Sequence, residues 1–422
     1  MMEVVERRKK LLGDSHLDTL NAMNNLAATY SDLGEFKRAE ELGIVVLEKV
    51  KQSLGDNHPH ALTIMGNLAV IYSKLGEFQR AKELEIVVLE KQKQLLGDNH
   101  PNTLTAMGNL ATTYTELGKF KMAQELGIVV LEKQKQVLGD NHLYTLNTMG
   151  NLAFAYSELG ELQRAKDLGV VVLEKRKQFL GDNHPDTLRA MGNLASMYRD
   201  LGEFTKAEEL GIVVLKERKQ FLGDNHPSTL RTMGSLAFTY SMLGEPHRAK
   251  ELEIVVFEKQ KQLLGDNHPD TLTAMGNLAS TYRDLGEFKK AQELEIIALE
   301  KRKQFLGDNH PDTLKSMGNL AITYWKLKKF TKAEELELLV LQKYRQSLGD
   351  NHPNTLWAAK ELSITYRSQD KLQEAKELRR LFALPAFEPL TGSGLGAIFK
   401  QPVKWLKKGL IERAGRWHKY NK

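Results

Sequence analysis

The residues of this chain best suited to chemistry come in one short string. LGDNHPDTL occupies Leu180 to Leu188 and returns unchanged from Leu264 and from Leu306. An imidazole beside a carboxylate could serve as a general base or hold a metal ion. The chain has no cysteine, which excludes thiolate metal sites and disulfides. A metal shared between copies fails on distance. Neighbouring units of a helical stack sit roughly 10 Å apart, whereas ligands about 2.1 Å from one zinc ion lie within roughly 4 Å of each other. His184 and His226 therefore cannot meet on one ion. Catalysis would need a nucleophile or a second carboxylate beside each His, and the same active site repeated along the chain. The economical reading is punctuation, in which Asp182, Asn183, His184 and Pro185 stop one helix and start the next. No enzyme activity, metal or cofactor is expected.

The elements that position these residues follow from their spacing. The Gly of each LGD falls at Gly13, Gly55, Gly97, Gly139, Gly181, Gly223, Gly265, Gly307 and Gly349, every step being 42 residues. A fixed period of this size means a stack of supersecondary units, each unable to bury its apolar face alone. In the fifth copy Pro185 suits a first helical position, with His184 or Asn183 as cap. Leu188, Met191, Leu194, Ala195 and Tyr198 then recur at helical spacing until Leu201-Gly202, where Gly supplies a left-handed turn. Phe204, Ala207, Leu210, Val213, Val214 and Leu215 continue the rhythm in a second helix, closed by Leu222-Gly223. The pattern predicts two antiparallel helices per unit, A and B, repeated about nine times.

The order Leu194-Ala195, Tyr198, Gly202, Phe204, Ala207 resembles a tetratricopeptide repeat, and the landmarks LG..HP, NLA..Y and G.....A resemble the kinesin light chain type of that repeat. The resemblance runs from Leu12 to about Leu381. Arrays this uniform also resemble the C-terminal repeats of fungal NACHT or NB-ARC receptor-like proteins. The resemblance implies an all-α, right-handed superhelical solenoid of about nine 42-residue repeats. It also implies a non-enzymatic scaffold that binds peptide or protein partners in its concave groove. Two narrower roles stay open: a cargo adaptor resembling kinesin light chain, or the ligand-sensing repeat region of an NLR-like receptor. The heptad coiled coil of the first is missing from this sequence, and no GxxxxGKS phosphate loop occurs, so ATPase function is not supported.

In the families resembled, helix A lines the inner wall, and an Asn there hydrogen-bonds the backbone of a bound peptide. Asn25, Asn67, Asn109, Asn151, Asn193, Asn277 and Asn319 match that position, while Ser235 and Glu361 depart from it. An amide offers donors and acceptors, so such a ladder can pair with an extended backbone whatever its side chains. Gly66, Gly108, Gly150, Gly192, Gly234, Gly276 and Gly318 precede these positions, each costing about 1 kcal/mol relative to Ala inside a helix. Either they give a ligand room or they let A helices pack closely. Specificity is expected where copies differ. The residue after the Leu of TL reads Thr63, Thr105, Asn147, Arg189, Arg231, Thr273 and Lys315, and the residue after Tyr includes Arg199 and Arg283. Arg189, Arg231 and Lys315 point to an acidic or carboxylate-bearing peptide, unless cations such as Arg199 and Arg283 pair locally with Asp200 and Asp284.

Composition sets the remaining bounds. The chain has 422 residues, 41% of them apolar, and a formal charge of +6. From Gly396 to Lys422 eight Lys or Arg face Glu412 alone, so this end carries +7 and the rest −1. The high pI says nothing of the body binding nucleic acid, which is not expected. No apolar run reaches bilayer length, and MMEVVERRKK is too charged for a secretory segment, so a cytoplasmic location is expected. Residues 1–11 read as a partial repeat, the end of a helix B, which suggests a piece of a longer receptor. Residues 12–384 form the repeat array, with Gln369-Asp370 replacing Leu-Gly in the ninth copy. Residues 385–396 read as a linker and 397–422 as a basic amphipathic tail, with Val403, Leu406, Leu410 and Trp417 on one side. That tail could cap the array, meet an anionic membrane or bind a partner.

Overall fold

The structure, a computed structural model, describes residues 1–384; the linker and basic tail lie outside the described residues. Nineteen helices and no strand occur among the described residues. The A helices are α2 (Leu17–Asp32), α4 (Pro59–Lys74), α6 (Pro101–Glu116), α8 (Leu143–Glu158), α10 (Pro185–Leu201), α12 (Pro227–Leu243), α14 (Pro269–Asp284), α16 (Pro311–Lys326) and α18 (Pro353–Ser368). The B helices are α3 (Phe36–Leu54), α5 (Phe78–Leu96), α7 (Phe120–Leu138), α9 (Leu162–Leu180), α11 (Phe204–Leu222), α13 (Pro246–Leu264), α15 (Phe288–Leu306), α17 (Phe330–Leu348) and α19 (Leu372–Leu381). α1 (Met2–Leu12) precedes them in the place of a helix B and packs on α2, burying Val5. The chain divides into two compact units, Met1–Gly202 and the part from Glu203 onward. Within each, every helix packs along the next in sequence.

Why the helices stop and start where they do is local chemistry. Each long B helix, and α1, ends on the connector Gly, with φ of 81 to 89° and ψ of 161 to 168°. That region of the backbone map is essentially closed to residues with a Cβ, so Gly returns at every period. The A-to-B turn needs a left-handed residue instead, as at Gly202 (φ 79°, ψ 13°). This demand is softer, and Lys328 (φ 59°) and Asp370 (φ 60°) meet it in the last two copies. The next A helix begins with His as N-cap, Pro at its first position in seven copies, and a buried Thr as its third residue in every copy but the second, which has Ala61. Thr145 Oγ1 donates to the Gly139 carbonyl at 2.9 Å and Thr355 Oγ1 to that of Gly349 at 2.8 Å, tying the connector to the helix it starts.

Packing follows the predicted A stripe. Leu188, Met191, Leu194 and Ala195 are buried, as are their equivalents in the first eight copies, such as Leu62, Met65, Leu68 and Ala69, while Leu356 in the ninth is partly buried. Helix B departs from prediction at one place. Val214 is 1% exposed but Val213 is 44% exposed, and Val45, Val87, Val129, Val171, Val255 and Ile297 share its exposed place. Successive helical residues lie about 100° apart, so the GIVVL run cannot turn both valines inward. Tyr at the end of helix A locks the hairpin: Arg80, Arg164 and Arg248 stack on the rings of Tyr72, Tyr156 and Tyr240 and donate to their hydroxyls at 2.6 to 2.8 Å.

Candidate functional site

The connector histidines are occupied by architecture. The backbone N–H of Asp186 donates to His184 Nδ1 at 3.1 Å, and the same bond recurs in all nine copies, from His16 to His352. A nitrogen that accepts a helical N–H is capping a helix, and it can do so only while unprotonated. Among the described residues no group of three or more His, Asp or Glu is placed to hold a metal ion. The DNHP string thus works as punctuation.

The A helices leave a different surface open. In α8 the face turned away from the stack carries Asn147, Gly150, Asn151 and Phe154, and in α4 Thr63, Gly66, Asn67 and Val70. On this face Asn25, Asn67, Asn151, Asn193 and Asn277 are exposed, and Asn109 and Asn319 half-buried. Two of the amides spend a donor on the A helix before them: Asn67 Nδ2 on Asn24 Oδ1 at 3.3 Å, and Asn151 Nδ2 on Thr112 Oγ1 at 2.9 Å. Of the departures from the pattern, Ser235 is half-buried, and Glu361 is buried with its carboxyl pushed up to about 7 by desolvation.

The glycine question is decided by space. A Cβ added at Gly66, Gly108, Gly150, Gly192, Gly234 or Gly276 would meet nothing within 4 Å. These residues do not serve close helix packing; they leave room. Gly318 is different, because the Trp357 indole of the following A helix lies over it, 2.6 Å from where a Cβ would stand.

In the first unit this open face is concave. A cavity of about 410 Å³ is bounded by α6, α8 and α10, with Gly108, Asn109, Gly150, Asn151, Asn193 and Arg189 on its walls. The structure therefore brings three members of the Asn ladder and one of the basic positions to one place. Asn25 and Asn67 lie outside it in the same unit, and Asn277, Asn319, Arg231 and Lys315 belong to the second unit. Arg189 is exposed and paired, its Nη2 lying 2.9 Å from Asp186 Oδ1. Arg231 and Lys315 are exposed. Arg283 does pair locally, but with Glu295 of the following helix B rather than with adjacent Asp284, and it also donates to Thr323 Oγ1 at 3.3 Å.

Sequence reasoning missed the floor. Gln134 and Arg176, from helices α7 and α9, line the same cavity although they are only 2% and 3% exposed. Arg176 Nη1 donates to the Asp186 carbonyl at 2.9 Å and Nη2 to Asn147 Oδ1 at 2.7 Å, while burial and nearby Arg189 draw its pKa down. Gln134 Oε1 and Arg176 Nε are buried without a partner. The signal was present in the sequence, since the register reads Val50, Gln92, Gln134, Arg176, Arg218, Gln260, Arg302, Tyr344, a polar place in an otherwise apolar helix face. A second register, two turns earlier on the same face, holds Gly at Gly43, Gly127, Gly169 and Gly211 and buried Glu at Glu85, Glu253, Glu295 and Glu337. Burial pushes Glu85 and Glu253 up to about 7 and Glu337 up to about 8, with the hydroxyls of Thr113, Thr281 and Thr365 acting in the opposite sense.

The comparisons with known proteins agree with this architecture. The family model for the tetratricopeptide repeat matches eight consecutive stretches, 19–60, 61–102, 103–144, 145–186, 187–228, 229–270, 271–312 and 313–354. No curated protein matches the sequence. Among solved structures, a putative kinesin light chain from Podosopora anserina with nearly identical TPR-like repeats is 30% identical, over 49% of this chain and 98% of its own, with a TM-score of 0.45. The apo quorum sensor NprR from B. thuringiensis is 16% identical, over 87% of this chain and 98% of its own, with a TM-score of 0.62. A Rap protein complexed with competence and sporulation factor is 13% identical, over 85% and 99%, with a TM-score of 0.53. At these identities NprR and Rap speak for the fold alone.

Proposed function

The chain belongs to the tetratricopeptide repeat family, and on that footing we propose that it is a non-enzymatic interaction scaffold whose A-helix face binds a peptide or protein segment in extended form. One observation carries the reading. Six helical glycines, each costing about 1 kcal/mol relative to Ala, stand over open space beside the Asn ladder. A stack maintained for stability alone would replace them. With the glycines leaving clearance, Asn109, Asn151 and Asn193 can each offer a donor and an acceptor to a backbone lying along the cavity. Arg189, Arg231 and Lys315 would favour an acidic segment, in the cytoplasm or any compartment that holds such a partner.

The test replaces Asn109, Asn151 and Asn193 with Ala together. Affinity capture from the source cell followed by mass spectrometry should then lose the partners that the unaltered chain retains, with helicity by circular dichroism unchanged. Equal recovery of the same partners would end the reading. For the basic segment 397–422 we expect contact with an anionic surface. The full chain should sediment with phosphatidylserine vesicles and a chain ending at Leu384 should not; equal sedimentation removes that role.

A further inference from the structure

The cations expected from sequence to choose the ligand stand on helix A, yet the structure spends the nearest of them elsewhere. Arg189 is exposed and held by Asp186 at 2.9 Å. The guanidinium lying deepest in the first unit's cavity comes from helix B. Arg176 is 3% exposed, and both its hydrogen bonds end on neutral oxygens, the Asp186 carbonyl and the Asn147 amide. None of its hydrogen bonds reaches a carboxylate, and its Nε has no partner. Beside it in the same cavity, Gln134 is 2% exposed with Oε1 unpartnered. Asp186 is the nearby opposite charge, but its carboxylate is held by Arg189, and a cation taken out of water with no carboxylate bonded to it is costly until an anion arrives. An exposed, already paired cation gains far less.

From this cavity and its floor we infer that Arg176 is the specificity-determining residue of the groove, selecting a ligand segment that carries one oxyanion, a carboxylate or a phosphate, at the junction of α8 and α10. This deepens the groove reading and rests on it. The bonds to Asp186 and Asn147 hold the guanidinium fixed before a ligand comes, so little side-chain freedom is lost on binding. The same register varies from copy to copy while the scaffold around it does not: Val50, Gln92 and Gln134 precede Arg176 within the unit. The floor thus changes from apolar to amide to cation, and a bound segment would be read in one direction along it. In the second unit Arg302 repeats the arrangement, 8% exposed and bonded to Ser316 Oγ at 2.6 Å and Thr273 Oγ1 at 3.3 Å.

The experiment uses the full chain and an array of acetylated, amidated heptapeptides with varied neutral flanks and Glu, phosphoserine or Gln at the centre, read by fluorescence anisotropy. The unaltered chain should bind the Glu or phosphoserine peptides roughly tenfold more tightly than their Gln counterparts, the size of one charge-assisted hydrogen-bonded contact. The arm that binds distinguishes carboxylate from phosphate. Arg176→Gln, which copies the residue of the preceding repeat, should erase the preference. Gln134→Arg, tested in parallel in case Arg176→Gln does not fold, should strengthen binding of an added set of peptides that carry a second Glu in one flank. Peptides that bind regardless of charge, a preference that survives Arg176→Gln, or Gln134→Arg without effect would overturn the inference and leave the groove standing. Failure of every peptide, charged or neutral, would bring down the groove reading itself.

Discussion

His184 shows what a single residue does in this chain, because its ring nitrogen takes the place that Ser or Asp fills at most helix starts. Losing a cap of this kind costs about 1 kcal/mol. His184→Ala should lower stability to urea by that much, and His184→Asn should restore most of it; if the two variants unfold alike, capping is not the role of the ring. Glycine allows a sharper contrast. Gly150 is helical with nothing within 4 Å of where a Cβ would stand, so Gly150→Ala should stabilise the fold by about 1 kcal/mol while weakening capture of a partner. Gly318→Ala should give no such gain, because Trp357 would have to move. Urea denaturation of the pair decides it, and equal gains would mean that the indole is not seated on Gly318.

At the scale of the element, one face of helix B does two jobs two turns apart: the Gly or Glu register meets the next helix A, and the Gln or Arg register farther along the same face reaches the groove floor. The buried carboxyls give the stack a pH response. Glu85, Glu253 and Glu337 keep their protons in the fold up to about 7, 7 and 8, whereas in the unfolded chain a Glu releases its proton at about 4.3. The folded state therefore holds more protons between those values, so stability falls as pH rises. It should be greatest in mildly acidic solution and decline from about pH 5 to pH 8, a window that follows from the same carboxyl values. Glu337→Gln keeps the shape of the side chain and removes the ionisation, so its denaturation midpoint should vary less with pH. An unchanged slope in that variant would show that the carboxyl is solvated.

At the scale of the molecule, each repeat covers the apolar face of its neighbour, and stability accumulates along the stack. Removing residues 103–144, one whole period inside the first unit, should leave a folded helical protein with its ellipticity reduced in proportion, whereas removing 124–144 should leave unmatched faces and a non-cooperative transition. Cooperative unfolding of the second deletion would contradict repeat-by-repeat stacking. The period, the helix ends and the polar character of one A-helix face were all legible in the sequence, because Gly in its special backbone region, the His-Pro start and the 3.6-residue rhythm are properties of a few neighbouring residues. The sequence alone left undecided whether Gly150 served packing or clearance, which of Val213 and Val214 turns inward, and whether Arg283 pairs with Asp284 or elsewhere. Nor did it reveal that Arg176, from a helix outside the inner wall, forms the floor of the cavity. Those outcomes depend on which residues of adjoining helices, such as Arg283 and Glu295 or Arg176 and Asn147, come within a few ångströms of one another, and only the packed structure determines that.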